Sequence, residues 1–233
     1  MSIDLELERL YRGVELVRGR GNPRKGRLCI MSLVAYLAGE GHTDRPRTAS
    51  RVIRDFAVSL NDLAPAEWRQ ELKPFAPRII GTNDGNDRAR ARLLHRAIIE
   101  EVIPKASADT GRAEEDDRQD ADHSRACAPL GTAVPSDVSR WAAGLLGLLI
   151  RNAPSASARR WHWAKAVDIL DRLCEVGAEG RLPLVRQDRI DRMRTAVEQR
   201  RAQVERIRHL VTDAKKLAHD IPQLCRTMVR HLV

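Results

Sequence analysis

Residues 28 to 46 read LCIMSLVAYLAGEGHTDRP. From Leu28 to Ala38 the run is apolar on nearly every face, yet about half the length of the roughly twenty residues a membrane span requires. It predicts a short helix at the centre of a core. Gly39 stands in the C-terminal cap position, where left-handed backbone carries no steric cost for glycine. A helix apolar all round must be enclosed by other elements, so the flanking sequence decides what encloses it.

Those flanks are helical in period. Ile3, Leu7, Leu10, Val14 and Val17 predict an amphipathic helix over 3–17 that Gly19 and Gly21 end. After the TDRP corner, where Asp44 suits an Asx turn and Pro46 stiffens the chain, Thr48 or Ser50 is placed to cap a helix carrying Val52, Ile53, Phe56 and Leu60 up to Asn61 and Asp62. Pro65 opens a short helix with Trp68 and Leu72, and KPFAPRIIGT (73–82) reads as a bent connector. Asp84 or Asn86 caps a helix from Asp87 to Val102, with Pro104 expected to terminate it. Further on, Ser136 caps a helix over 137–150, and Ser155 or Ser157 caps one over 158–176 that Gly177 closes. In the last long element Ile190, Met193, Val197, Val204, Ile207, Val211 and Ala214 keep a 3-4 spacing broken only at Arg200. Strand-like alternation is scarce and aromatic residues make up 3% of the chain, so the expected fold class is all-α.

The strip from Ala106 to Pro135, ASADTGRAEEDDRQDADHSRACAPLGTAVP, is poor in large apolar residues and has 3 basic against 7 acidic groups. Such a composition buries too little to order itself. The expected architecture is therefore two helical bundles, residues 1–105 and 136–233, joined by an acidic, flexible linker over 106–135. The first half carries a charge of +5 and the second +8, within a formal net charge of +9. That balance points toward anionic partners or a solvated basic surface. Arginine dominates the basic residues but is scattered through every predicted helix.

The chain begins with MSIDLELERL, acidic and amphipathic, without the basic flank and apolar segment of a signal peptide; a cytoplasmic location is expected. Cys29, Cys127, Cys174 and Cys225 lie 98, 47 and 51 residues apart, so no CxxC or zinc-finger spacing exists. Cys29 falls in the first turn of a predicted helix, behind Arg24, Lys25 and Arg27, conditions that depress a thiol pKa. His42 and Asp44 follow at the other end and could serve as base and orienting carboxylate in a thiol enzyme. An eleven-residue helix is about 16 Å long, however, so the two ends do not meet unless the loop doubles back. A buried structural cysteine is the favoured reading. No histidine pairing suits a metal, and neither metal nor cofactor is expected.

The loop RGRGNPRKGR (18–27) holds five basic groups and no acid, ending at a helix N-terminus. Arg18, Arg20, Arg24, Lys25 and Arg27 are thus candidates for phosphate or nucleic-acid contact. They are joined by Arg200, Arg201, Arg208, Lys215 and Lys216 on the last helix, where acids are interleaved as on a solvated face. Trp161, Trp163, Val197, Val204 and Val211 are candidates for a partner interface or self-association over 186–218. WAAGLLGLLI is too short to span a bilayer, and no membrane role is expected.

The string beginning CIMSLVAYLAGE, with the TDRP turn, the Asn61-Asp62 pair and PFAPRIIGT, resembles a group of uncharacterised bacterial proteins over about residues 24–105. The related pattern often places a second cysteine shortly after the proline of the turn, where this chain has Thr48, which argues against a dithiol or metal site. The resemblance implies no activity, substrate or cofactor. The reading at this level is a non-enzymatic helical binding or adaptor protein, a component or regulator of a larger bacterial complex. The alternatives are nucleic-acid binding through arginine-rich surfaces and thiol chemistry at Cys29. If the 18–27 loop and the last helix form one positive surface, the nucleic-acid alternative gains; if they point apart, the adaptor does.

Overall fold

A computed structural model describes residues 3–109, 135–179 and 185–230, with side chains described for 7–109, 137–179 and 185–216. Among the described residues the protein is all-α apart from one small ribbon. Its helices are α1 (Ile3–Gly13), α2 (Ile30–Leu37), α3 (Arg51–Leu63), α4 (Ala66–Arg69), α5 (Phe75–Ile79), α6 (Asp87–Ala97), α7 (Ile103–Asp109), α8 (Pro135–Asn152), α9 (Ala156–Glu175) and α10 (Gln187–Arg230). Between α1 and α2 lie β1 (Glu15–Leu16), β2 (Gly21–Asn22) and β3 (Arg27–Leu28), in the order β1-β3-β2 with β1 parallel and β2 antiparallel to β3.

As expected from its composition, α2 is enclosed: Ile30, Met31, Leu33, Val34 and Leu37 are buried. Cys29 sits one residue before it as the N-cap, its sulfur accepting a hydrogen bond from the Ser32 amide at 3.3 Å. Ser50 caps α3 and Ser155 caps α9, each hydroxyl taking up an amide that the first helical turn leaves unpaired. The first helix is shorter than its apolar spacing suggests. Beyond Gly13 the chain turns into β1, because Val14 and Leu16 are buried while Glu15 is exposed, an alternation only extended backbone provides. The 18–27 loop is accordingly a built ribbon, not an open loop.

Pro104 does not end the helix before it. Residues Ile98–Val102 form a π-helical segment that runs without a break into α7 at Ile103, so Pro104 stands inside a continuous helix whose turn is widened just before it. The wide turn buries Ile98 and Val102 and leaves Glu101 to accept hydrogen bonds from Lys165 Nζ at 3.0 Å and Arg172 Nη1 at 2.7 Å.

The two halves expected from the sequence meet face to face. α8 lies along α3 and α6, and α9 packs on α8, α3, α6 and α5. Leu33, Ile53, Phe56 and Leu60 share one hydrophobic cluster with Leu146, Trp163, Ile169 and Leu170. Gly147 permits the close crossing of α8 over α3, since a Cβ there would stand 2.6 Å from Leu63. Polar clamps rim this contact: Arg78 pairs with Asp171 and Glu175, and Glu71 accepts from Trp163 Nε1 and Arg160 Nη1, both at 2.7 Å. Most of the proposed linker (110–134) lies outside the described residues.

Candidate binding surface

α10 is built in two parts. Its first turns lie against α1, α2 and the turn Pro23–Lys25, burying Ile190 and Met193 and packing Val197 on the core. From Glu198 to Lys216 every residue is exposed, so this stretch leaves the body as an arm. The apolar row does not stop where the cover stops. Val204, Ile207 and Val211 are 43%, 52% and 48% exposed, in the heptad register that Ile190, Met193 and Val197 set inside the body, and Leu210 beside them is 67% exposed.

The junction is fixed by close packing and by arginines. A Cβ on Gly13 would lie 2.1 Å from a methyl of Val197, so α10 reaches α1 only because that residue is glycine. Arg200, at the seam position between Val197 and Val204, donates to the Lys25 carbonyl. Arg201 donates through Nη2 to the Arg12 carbonyl at 3.3 Å. Shallow grooves flank this contact, one of ≈ 400 Å³ lined by Arg9, Arg194 and Glu198 among others, one of ≈ 470 Å³ with Arg12, Val204 and Arg208 in its wall.

The basic candidates divide between two places. Arg18 donates through Nε to the Asp62 carbonyl at 2.9 Å, and the Arg20 carbonyl accepts from His42 Nε2 at 3.0 Å, so these two belong to the side of the ribbon next to α3 and the 39–46 turn. Arg27 is held by Glu15 at 3.1 Å. Arg24 and Lys25 are exposed on the turn that touches α10, continuous with Arg12, Arg200 and Arg201. Arg208, Lys215 and Lys216 extend the basic character along the arm, with Glu205 3.7 Å from Arg208. Arg9 and Arg12 were not singled out from the sequence. Their only signal was a three-residue spacing on the polar face of α1, and the face they share with α10 is set by residues nearly 190 positions away.

The two tryptophans separate, because two residues apart on a helix they point about 200° from one another. Trp163 is fully buried, its ring 6.0 Å from that of Trp68, so this interface candidate is core and presents nothing to a partner. Trp161 is half-buried, with Lys105 Nζ 5.7 Å from its ring centre.

Cys29 is equally enclosed. Burial pushes its thiol pKa up; hydrogen bonds with Ser32 only partly offset that, and the charge of Asp44 adds to it. The arrangement disfavours a thiolate. His42 is engaged with Arg20 as above, and among the described residues no group of three or more His, Cys, Asp or Glu side chains could hold a metal ion. No described helix is long and apolar enough to cross a membrane. Comparison with known proteins gives no match to any family model, curated protein or solved structure.

Proposed function

We propose that this chain is a non-enzymatic binding protein in which the helical body acts as a mount and the exposed arm of α10 is the docking element, within a larger assembly. One observation carries the reading: the apolar seam that α10 buries in the body continues, in register, as the uncovered row Val204, Ile207 and Val211, with Leu210 exposed beside it. Isolated apolar side chains on a surface need no explanation, but a contiguous row on a projecting helix marks a site of association.

A second reading, nucleic-acid binding, is favoured by the continuity of Arg12, Arg24, Lys25, Arg200 and Arg201 across the α1–α10 junction. The two make different demands on salt. Phosphate contacts release counterions, so affinity falls steeply and linearly with the logarithm of salt concentration, whereas an apolar seam holds or strengthens. The test is titration of the purified chain with labelled duplex DNA, single-stranded DNA and RNA over a salt series, with the mass determined on the same sample. The docking reading expects weak nucleic-acid binding that vanishes by physiological salt; tight, sequence-independent binding with a slope of several ions sinks it in favour of the second.

A further inference from the structure

The edges of the seam are not alike. With Ile190, Val197, Val204 and Val211 on one row and Met193, Arg200 and Ile207 on the other, the positions beside the first row are Arg194, Arg201, Arg208 and Lys215. Those beside the second are Ala196, Gln203 and Leu210. One edge is wholly basic and the other carries no charge. The acids of the exposed stretch, Glu198, Glu205 and Asp213, fall farther round the helix. In paired helices the edge positions set partner choice and direction.

A second copy of the chain meets this pattern badly. Antiparallel pairing sets basic edge against basic edge, so that Arg201, Arg208 and Lys215 face their own kind. Parallel pairing sets the basic edge against Gln203 and Leu210, and no ion pair forms. Phosphate would satisfy the arginines but leave the row of Val204, Ile207 and Val211, and Leu210 beside it, in water. Resting on the docking role of α10 argued above, we infer that the occupant of the arm is an amphipathic helix of a different protein, apolar on its inner rows and lined with carboxylates on the edge facing Arg201, Arg208 and Lys215. Arg200 does not obstruct the seam, because its guanidinium is turned onto the Lys25 carbonyl.

The experiment uses the full chain and two synthetic four-heptad peptides with the same apolar rows, one with Glu at both edges and one with Lys, read by fluorescence anisotropy, with the mass of the chain measured alone. The expected result is a single-chain mass and a preference for the Glu peptide of about tenfold or more, three favourable edge pairs against three repulsive ones. The variant R201E/R208E/K215E should reverse the preference. The variant V204S/I207S/V211S, which adds no charge and leaves the body untouched, should abolish binding of both peptides while sparing any nucleic-acid binding. Equal binding of the two peptides overturns the assignment of an acidic partner. So does a dimer that the serine variant converts to single chains, an outcome that keeps α10 as the docking element and replaces its occupant with a second copy. Failure of both peptides to bind, with the serine variant indistinguishable from the parent, removes the docking role and the inference together.

Discussion

Arg90 shows how one side chain can be the hinge of a fold. It is fully buried, and its five N–H donors meet five acceptors: both Asp84 oxygens at 2.6 and 2.7 Å, and the carbonyls of Thr82, Leu173 and Val176 at 2.8, 3.1 and 2.6 Å. Planar, bidentate geometry of this kind is specific to arginine. Gly177 follows at φ 70°, and a Cβ there would stand 2.6 Å from Asp84 and Asn86, so the end of α9 is shaped around the pair. Burial alone would raise the Asp84 pKa, but the Arg90 fork and the Asn86 amide outweigh it and hold the carboxyl well below the usual carboxylate range. Asp84→Asn should therefore cost about 3 kcal/mol at neutral pH, because a buried guanidinium loses its bidentate counter-charge and keeps only Asp87 at 3.9 Å. The sign follows from the depressed folded value: the contribution is complete above the ordinary aspartate pKa of about 4 and drains away as pH falls toward the folded one. Urea midpoints at pH 7 and pH 3 should differ by less in Asp84→Asn than in the parent; an unchanged pH 7 midpoint would refute the clamp. The sequence shows Asp84 and Arg90 only as a cap candidate and a helix residue, since the carbonyls that complete the site come from more than 80 positions downstream.

Elements were legible where one local force set them. The all-round apolar α2, the serine caps of α3 and α9 and the 3-4 row of α10 follow from composition and spacing that need no distant partner. The π segment before α7 and the short β ribbon did not, because each trades local regularity for a tertiary contact: Glu101 onto Lys165 and Arg172, Leu16 beside Leu28. The seating of α10 on α1 is of the same kind and gives a test with opposed terms. Gly13→Ala gains at most about 1 kcal/mol of helix propensity, since Gly13 is the last residue of α1, yet the new methyl meets a β-branched Val197 with little rotamer freedom, and overpacking costs about 1–3 kcal/mol. Gly13→Ala should be net destabilising, and Val197→Ala in the same chain should restore part of the loss although it is destabilising alone. A double-mutant cycle in denaturant measures this coupling; additive losses would mean that α10 does not rest on Gly13.

At the scale of the molecule, the acidic strip divides the sequence into halves more sharply than it divides the core. Composition shows where the chain is poor in burial, but which apolar face meets which is decided by shape, as at Gly147 under Leu63, and spacing does not encode it. Trp68 from the first half and Trp163 from the second stack at 6.0 Å, so their fluorescence reports the shared core. The arm is outside that core. From Glu198 to Lys216 it is about 28 Å long at 1.5 Å per residue, and an isolated helix without a packed face is only marginally stable in water. Hydrogen exchange should accordingly divide the chain: amides of α3 and α8 exchange only through global opening, of the order of 5–15 kcal/mol, while those of residues 198–216 exchange by local fraying orders of magnitude faster. Saturating the chain with the Glu-edged peptide should raise protection in 198–216 and leave α3 and α8 nearly unchanged. Equal protection of arm and core in the free chain, at a concentration where it has the mass of one copy, would mean that something in the chain already covers the seam and that α10 is not an open docking element.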